Sequence, residues 1–287
     1  MTRLDVRKTY KLFIGGAFPR SESGRTYVIA RNGTFVANAA RASRKDVRDA
    51  VRAARTAQPS WAAATAYNRG QVIYRVAEML EARRDQFISE VAGAEGLDHR
   101  DASSNVDAAI DRWVWYAGWT DKIAQVAGNL NPVAGPYFNL SGPEPTGVVG
   151  ALAPQQSSLL GFIDVVAPII VTGNSVVAVA SQDRPLAAVM LAEVLATSDI
   201  PPGVVNILTG HIDELAPVIA SHQDVNAIDL TGYAGQDTTE LEVAAAGNLK
   251  RVLPAPATEA SHVALPDGPR RILAFCETKT VWHPKGW

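Results

Sequence analysis

The chain has 287 residues, of which 47% are apolar and 20% charged, and its formal net charge is -2. This profile is typical of an ordinary globular protein with room for one large or two modest domains, and it excludes a strongly basic nucleic-acid surface. A single cysteine, Cys276, excludes an internal disulfide framework and any paired-cysteine metal site. The five histidines stand in no metal-ligand spacing, so we expect no metal and no nucleic-acid partner.

The amino-terminal segment M-T-R-L-D-V-R-K-T-Y lacks the apolar stretch of a secretory signal, which favours a cytoplasmic protein. The longest apolar run, residues 159–180, approaches the roughly 20 residues that span a bilayer. Polar and helix-breaking residues interrupt it, namely Asp164, Pro168, Gly173 and Asn174. We therefore expect no membrane contact, and we interpret the run as a buried helix, a turn at T-G-N and a buried strand.

The first third of the chain predicts a β-hairpin followed by helices. K-L-F-I-G-G-A-F and T-Y-V-I-A-R-N-G-T-F-V-A-N have strand-forming residues with glycine and asparagine at the turns. Ser43 can cap the helix that begins S-R-K-D-V-R-D-A-V, with Asp46 as the capping acid. In the next helix, three- and four-residue spacing predicts a buried face made of Ile73, Val76, Ala77 and Leu80.

Residues 107–124 predict a third helix that is rich in aromatic side chains, namely Trp113, Trp115, Tyr116 and Trp119. Such residues could form a site for a ligand that stacks on rings. Packing in a core or an interface is their commoner use, so we expect a structural role.

From residue 144 onward, short apolar strands alternate with amphipathic helices. The strands read T-G-V-V-G-A-L-A, S-V-V-A-V-A, V-V-N-I-L-T-G and A-I-D-L-T-G. This alternation predicts an α/β fold with a doubly wound parallel sheet, whose ligands would lie at the carboxyl ends of the strands. No G-x-G-x-x-G motif is present, so the usual dinucleotide fingerprint is missing.

Between about residues 10 and 253, the chain resembles the coenzyme-binding part of the aldehyde dehydrogenase superfamily. The most specific segments are A-P-I-I-V-T-G-N-S-V-V and I-P-P-G-V-V-N-I-L-T-G. The resemblance implies a Rossmann-like coenzyme domain with a small protruding β-flap. It divides the chain into an amino-terminal hairpin and helical part (1–135), a first flap strand (136–147), a Rossmann-like part (148–255), and a linker with a carboxy-terminal flap strand (256–287).

The resemblance also implies that the catalytic positions are degenerate. Where members read P-W-N-F, this chain reads P-Q-Q-S, so the asparagine of the oxyanion hole corresponds to Gln156, which is one methylene longer. Gln155, beside it, would be a weak coenzyme contact. The general-base glutamate of L-E-L-G-G corresponds to Ala255, which leaves no carboxylate there to activate water.

The coenzyme-binding positions that the resemblance implies are degenerate as well. The lysine and glutamate that hold the adenosine ribose correspond to Val179 and Gln182, and a valine offers neither charge nor hydrogen bond. The glycine-rich turn L-T-G-Y-A-G-Q-D keeps Gly232 but places Tyr233 where a small serine is expected. Asp237 adds a negative charge that opposes a bound pyrophosphate. Together these positions predict weak NAD(P) binding or none.

Cys276 resembles a flap residue and not the family's nucleophile. F-C-E-T-K-T-V-W matches the family's closing strand, of the kind Y-T-E-V-K-T-V-W, and only 11 residues follow Cys276, where active relatives have a whole catalytic domain. A reactive thiolate needs a nearby cation, histidine or helix start. Lys279 and His283 would lie on the opposite face of the strand. We therefore expect no catalytic residue in this chain.

The resemblance implies that the catalytic domain is deleted between about Pro254 and Arg270. The chain is similar to the noncatalytic second domain of the two-domain family 16 aldehyde dehydrogenases. We expect an inactive pseudo-subunit that docks through its flap on an active aldehyde dehydrogenase, while homo-oligomerisation through helices stays open. The predicted interface consists of Phe275, Glu277, Thr278, Lys279, Thr280, Val281 and Trp282.

Two alternatives stay open. The chain could be an active NAD(P)-dependent aldehyde oxidoreductase in which Gln156 and Cys276 take catalytic roles, which predicts NAD binding and aldehyde-dependent NADH production. It could also be a nucleotide sensor without chemistry, which predicts a saturable effect of NAD on tryptophan fluorescence and no turnover.

Overall fold

The computed structural model of the protein describes residues 8–259, 266 and 268–286. The predicted linker therefore lies partly outside the described residues, at 260–265 and 267, and so does most of the amino-terminal segment, at 1–7. Among the described residues, no helix is long and apolar enough to cross a bilayer.

The hairpin at residues 26–40 and the start of the first helix follow the sequence prediction. K-L-F-I-G-G-A-F forms only isolated bridges, and the predicted second helix is divided into α2 and α3. Strands β1 (Thr26–Arg31) and β2 (Thr34–Ala40) pair antiparallel, and their turn residues Asn32 and Gly33 both have positive φ, as a tight hairpin turn requires. Ser43 and Asp46 form the predicted capping box of α1, and the predicted apolar face of α2 is buried. The helices are α1 (Arg44–Ala63), α2 (Ala66–Glu81), α3 (Arg84–Glu95), α4 (His99–Ala117) and α5 (Ile123–Ala127).

Helix α4 differs from the predicted helix at 107–124. It begins at His99 because the side chain of Asp98 accepts a hydrogen bond from the backbone of Asp101, and it ends before Gly118. The chain then turns into the separate short helix α5. Trp113 and Tyr116 are buried in the core, which agrees with the predicted structural role.

The predicted doubly wound α/β fold is confirmed by a five-stranded parallel sheet in the order β7-β6-β5-β8-β9. Helices α6 and α7 pack on one face of the sheet together with α2, α3 and α4, and α1 and α8 pack on the other face. The elements of this part are β5 (Val148–Leu152), α6 (Leu160–Ile170), β6 (Ser175–Val179), α7 (Leu186–Ala196), β7 (Val205–Leu208), α8 (Ile212–Ser221), β8 (Ala227–Asp229), α9 (Thr239–Ala246) and β9 (Arg251–Leu253).

A second sheet is antiparallel and has three strands, β3 (Asn129–Asn131), β4 (Tyr137–Pro145) and β10 (Cys276–Pro284), in the order β10-β4-β3. We call this sheet the flap. The predicted flap had two strands, because β3 is too short to be recognised from its sequence. A short helix, α10 (Arg270–Leu273), precedes β10.

The root of the flap belongs to the domain core. Phe275 has no exposed surface, and its carbonyl accepts hydrogen bonds from the backbone of Thr146 (3.2 Å) and the side chain of Asn174 (2.9 Å). Arg271 in α10 forms an ion pair with Asp229, which is fully buried at the end of β8. The prediction that Phe275 belongs to the interface is therefore wrong, because its side chain fills the interior and cannot reach a partner.

Candidate functional site

The order of the strands determines where this fold can hold a ligand. From the central strand β5, the chain winds to β6 and β7 on one side and to β8 and β9 on the other. This reversal leaves a crevice between the carboxyl ends of β5 and β8, where doubly wound sheets bind their ligands. We call it the crevice; the loops around it are residues 153–159, 180–185 and 230–238.

Gln155 ties two of these loops together. Its side-chain nitrogen donates to the carbonyl of Ala153 (2.7 Å), and its side-chain oxygen accepts from the backbone N–H of Gln182 (2.9 Å). The hydroxyl of Ser181 donates to the carbonyl of Gln155 (2.8 Å). Both ends of the Gln155 amide are thus engaged within the chain, and so is the backbone of Gln182.

Glu259 brings a carboxylate into the crevice. One of its oxygens accepts from the backbone N–H groups of Gln156 (2.7 Å) and Ser157 (3.2 Å), and the other accepts from the N–H of Gln155 (3.1 Å). Three consecutive N–H groups that converge in this way form a small anion-binding turn. The turn is filled by the chain's own side chain.

The sequence reasoning missed Glu259. It found no carboxylate at Ala255, and that position indeed has none, but Glu259 follows only four residues later. An acid at the end of the otherwise uncharged A-P-A-T-E was the available signal. Its direction could not be read from the sequence, because it depends on the path of the linker.

The linker runs across the crevice before it reaches Glu259. The backbone N–H of Leu230 donates to the carbonyl of Leu253 (3.0 Å), and that of Gly235 donates to the carbonyl of Pro256 (2.9 Å). Gly235 has positive φ, and a Cβ there would lie 3.0 Å from the carbonyl oxygen of Ala257. We call residues 254–259 the strap, since they connect the loop after β8 to the loop after β5.

Val179 and Gly232 lie beside the crevice and have packing roles. Val179 ends β6 and is completely buried among the apolar residues between the sheet and helices α1 and α8. At Gly232, a Cβ would lie 2.5 Å from the carbonyl oxygen of Ala153 and 2.9 Å from that of Leu152. Only glycine lets the turn after β8 approach the end of β5 this closely.

Tyr233 and Asp237 also have partners within the chain. The Tyr233 hydroxyl donates to a carboxylate oxygen of Asp213 (2.9 Å), and burial, together with this bond, raises the pKa of the phenol above its usual value. One carboxylate oxygen of Asp237 accepts from the backbone N–H (3.0 Å) and the hydroxyl (2.7 Å) of Thr239, which lowers the pKa of Asp237. A carboxylate of the chain therefore stands at the start of α9, where an anion would bind.

Cys276 lies near the amino-terminal ends of the parallel strands, whereas the crevice lies at their carboxyl ends. It pairs with Pro145, which precedes β5, whereas the crevice follows β5. Strand β5 has five residues at about 3.3 Å each, so its two ends are roughly 16 Å apart. The thiol is buried, lies 3.3 Å from the carbonyl oxygen of Ile272, and has its pKa raised by that burial. Within the described part of the chain, no cluster of histidine, cysteine and acidic side chains could hold a metal.

Comparison with known proteins gives one consistent result. The model of the Aldehyde dehydrogenase family matches residues 20–268. Aldehyde dehydrogenase, cytosolic 1, of Elephantulus edwardii is 32% identical over 260 residues, which are 88% of this chain and 51% of that protein. Retinal dehydrogenase 2 of Gallus gallus is 33% identical over 255 residues, which are 87% of this chain and 48% of that protein.

Solved structures agree with these relatives. The NAD+ complex of an aldehyde dehydrogenase from Bacillus cereus superimposes with a TM-score of 0.79 and 28% identity, over 85% of this chain and 50% of that one. HpcC from Thermus thermophilus gives a TM-score of 0.81 and 28% identity, over 86% of this chain and 48% of that one. The chain spans about half the length of the relatives that it matches.

Proposed function

The chain belongs to the aldehyde dehydrogenase family, and from this membership we propose that it is a noncatalytic member that docks through its flap on a catalytically competent aldehyde dehydrogenase subunit. The observation that supports docking most strongly is the apolar face of the flap. Leu130, Leu140 and Val281 stand opposite one another in the register of the three strands, so they form one row on one face. Their side chains are 65%, 49% and 48% exposed.

The two faces of the flap differ in chemistry. Phe138 extends the apolar row, because it lies two residues from Leu140 on the same strand. The opposite face is mixed. Asn131 donates to Asn139 (2.6 Å) and Ser141 (2.7 Å), and the hydroxyls of Ser141 and Thr280 are 2.8 Å apart. The exposed rings of Tyr137 and Trp282 lie on this face as well, edge to face at 5.8 Å. Exposed apolar side chains on one small sheet are typical of a surface that binds another protein.

The outer edge of β10 supports the same proposal. In the described part of the chain, no strand pairs with this edge, and every residue from Glu277 to Pro284 is exposed. An edge strand presents unpaired N–H and C=O groups that another strand can satisfy. A partner sheet that adds to β10 would also cover part of the apolar row.

The crevice supports a noncatalytic role. Glu259 fills the N–H groups after β5, and Asp237 fills the start of α9, so two places that could attract an anionic cofactor already hold carboxylates. A coenzyme would have to displace the strap and overcome like-charge repulsion. The buried thiol of Cys276, at the far edge of the sheet, offers no nucleophile to this crevice.

The docking proposal is tested by purifying the tagged chain from its own cells and recording native mass spectra of the complexes. We expect a stoichiometric complex with a chain that peptide sequencing identifies as a full-length aldehyde dehydrogenase. The variant Val281→Lys should lose it, because a charge enters the apolar row. Val28→Lys is the matched control, since Val28 is a comparably exposed valine on β1, and it should keep the complex.

A truncated chain is a further variant for this test, and it should also lose the complex while keeping the root of the flap. Removing residues 278–287 deletes most of β10 but leaves Arg271 and Phe275 in the core. Absence of any aldehyde dehydrogenase from the wild-type complex, or its retention by Val281→Lys, would contradict docking through the flap.

The noncatalytic part of the proposal is tested separately on the pure chain. Calorimetric titration with NAD and NADP should give no saturable heat, and aldehydes with either coenzyme should give no NADH or NADPH. Turnover that Cys276→Ser abolishes would support the active-enzyme alternative instead. Saturable binding without turnover would support the nucleotide sensor.

A further inference from the structure

We propose that β10 pairs antiparallel with β10 of a second copy of this chain, centred on Thr280, so that the two flaps form one continuous six-stranded sheet. This inference concerns the chain by itself and goes beyond the proposed docking on an active enzyme. It follows from the backbone groups at the outer edge of β10 and from the charges along that strand.

The hydrogen bonds at the two ends of β10 show which residues face outward. The carbonyl of Phe275 accepts from Thr146, and the N–H of Lys285 donates to the carbonyl of Pro136, so both residues face β4. Between them the register of β10 with β4 has no shift. Since N–H and C=O groups alternate sides along a strand, the intervening odd-numbered residues face β4 as well. Thr278, Thr280 and Trp282 therefore direct their N–H and C=O groups toward the free edge.

These three outward residues favour a two-fold arrangement. With Thr280 opposite Thr280 of the second copy, Thr278 of each copy lies opposite Trp282 of the other, and all three residues pair at once. Pro284 has no N–H and ends the usable edge on one side, and the buried Cys276 ends it on the other.

The charges along β10 select this register over its neighbours. Centred on Thr280, Glu277 lies opposite His283 of the second copy, and Lys279 lies opposite Val281. Within its own chain, Glu277 is already paired with Arg251, and Lys279 with Glu144. A shift that centres the pairing on residue 279 would place Lys279 directly opposite Lys279, where like charges repel. A shift by one residue the other way would place Glu277 opposite Lys285 but would also place Lys279 opposite His283. Of the three registers, only the one centred on Thr280 pairs an acid with a histidine and brings no two basic residues together.

Side chains on both faces fit the same register. Thr280 from each copy would lie side by side on the mixed face, next to the hydroxyl of Ser141. On the other face, Val281 would be continued by the aliphatic stem of Lys279 from the second copy, which lengthens the apolar row. Edge-to-edge pairing thus covers an exposed strand that would otherwise invite aggregation.

Cysteine cross-linking tests this register directly. In the full chain with Cys276→Ser, we expect Thr280→Cys to form a disulfide-linked dimer under mild oxidation with diamide. Its two Cα atoms would be about 5.5 Å apart, which suits a disulfide. Thr278→Cys is the matched control on the same exposed edge, and it should not cross-link, because its two Cα atoms would be about 14 Å apart.

Light scattering over a dilution series supplies the second readout. The wild-type chain should show twice the monomer mass at high concentration, and Thr280→Pro should shift the transition to at least tenfold higher concentration. Proline removes the outward N–H and the hydroxyl that contacts Ser141, but no backbone hydrogen bond of the ladder with β4. A monomer at all concentrations, a dimer that survives Thr280→Pro, or equal cross-linking of Thr278→Cys would overturn the inference.

The outcomes separate this inference from the proposed function. A monomeric chain that still captures an aldehyde dehydrogenase through Val281 would overturn the homodimer and leave the docking proposal standing. A dimer with the Thr280 register that captures no aldehyde dehydrogenase would support the homodimer and contradict the docking proposal.

Discussion

The crevice and the flap are both places where a doubly wound protein of this family could make contacts, and they differ in how their polar groups are used. At the crevice, Glu259 and Asp237 accept hydrogen bonds from backbone N–H groups of their own chain. At the flap, no strand among the described residues pairs with the outer edge of β10. The apolar side chains of Leu140 and Val281 are exposed beside it. In the proposed function, the polar groups of the crevice are satisfied within the chain, and the flap is left exposed for another protein.

Membership in the family and the chemistry of the crevice are separate questions. The fold keeps the sheet, the switch point and the glycine turn at Gly232, because all three are required for packing. The fold does not fix the side chains that line the crevice, and in the proposed function they close it. Function has to be argued from the site and not from the fold.

The greatest loss of stability should separate the root of the flap from its tip. Phe275→Ala should lower the free energy of unfolding by about 3–5 kcal/mol, because it leaves a cavity in the core. Phe138→Ala, on the exposed face of β4, should change it by less than about 1 kcal/mol. Urea unfolding followed by fluorescence measures both. Equal effects would mean that the tip is packed like the root.

The second-largest loss of stability is expected at Gly232, where the turn after β8 lies against the end of β5. Gly232→Ala should destabilise the protein by about 1–3 kcal/mol, since its Cβ would meet two backbone carbonyl oxygens that cannot move aside easily. Gly142→Ala in the flap is the control, because no atom lies within 4 Å of its would-be Cβ. Thermal unfolding by circular dichroism compares the two. A neutral Gly232→Ala would show that the turn is looser than these distances indicate.

A smaller effect is expected for the strap. Glu259→Ala removes the acceptor of three N–H bonds and should cost about 1–2 kcal/mol, since the freed N–H groups can bind water at the crevice mouth. Thermolysin should then cut the linker at 254–269 faster than in the wild type. Glu78→Ala, an exposed acid on α2, should leave the cleavage rate unchanged. Unchanged cleavage in both variants would mean that Glu259 does not hold the strap.

Cys276 should have the least influence on stability, and its informative quantity is thiol reactivity. Burial raises the pKa of this thiol, so less thiolate is present at pH 8 than for a free cysteine, and labelling should speed up as the pH rises. We expect labelling by a disulfide reagent at pH 8 to be at least tenfold slower in the folded chain than in urea. Thr280→Cys in a Cys276→Ser background should label rapidly. Rapid labelling of native Cys276 would reopen its catalytic role.

The sequence predicted the elements whose signals are local. Ser43 and Asp46 showed a helix start, and alternating strands and helices predicted the parallel sheet, because hydrophobic periodicity and capping act over a few residues. It failed where a residue's role depends on distant chain. Phe275 looked like part of an exposed strand, and the acid at Glu259 had no readable partner until the strap was placed beside residues 155–157.

The most direct test compares hydrogen exchange of backbone amides in the crevice and in the flap. It is measured at a concentration where the chain is monomeric. The account predicts slow exchange at Gln155, Gln156 and Ser157 without any ligand, and no change on adding NAD. It predicts fast exchange along the outer edge of β10, at Thr280 and Trp282, which slows when a full-length aldehyde dehydrogenase from the same cells is added. Fast exchange at residues 155–157 that NAD makes slow, with no change along β10, would contradict it.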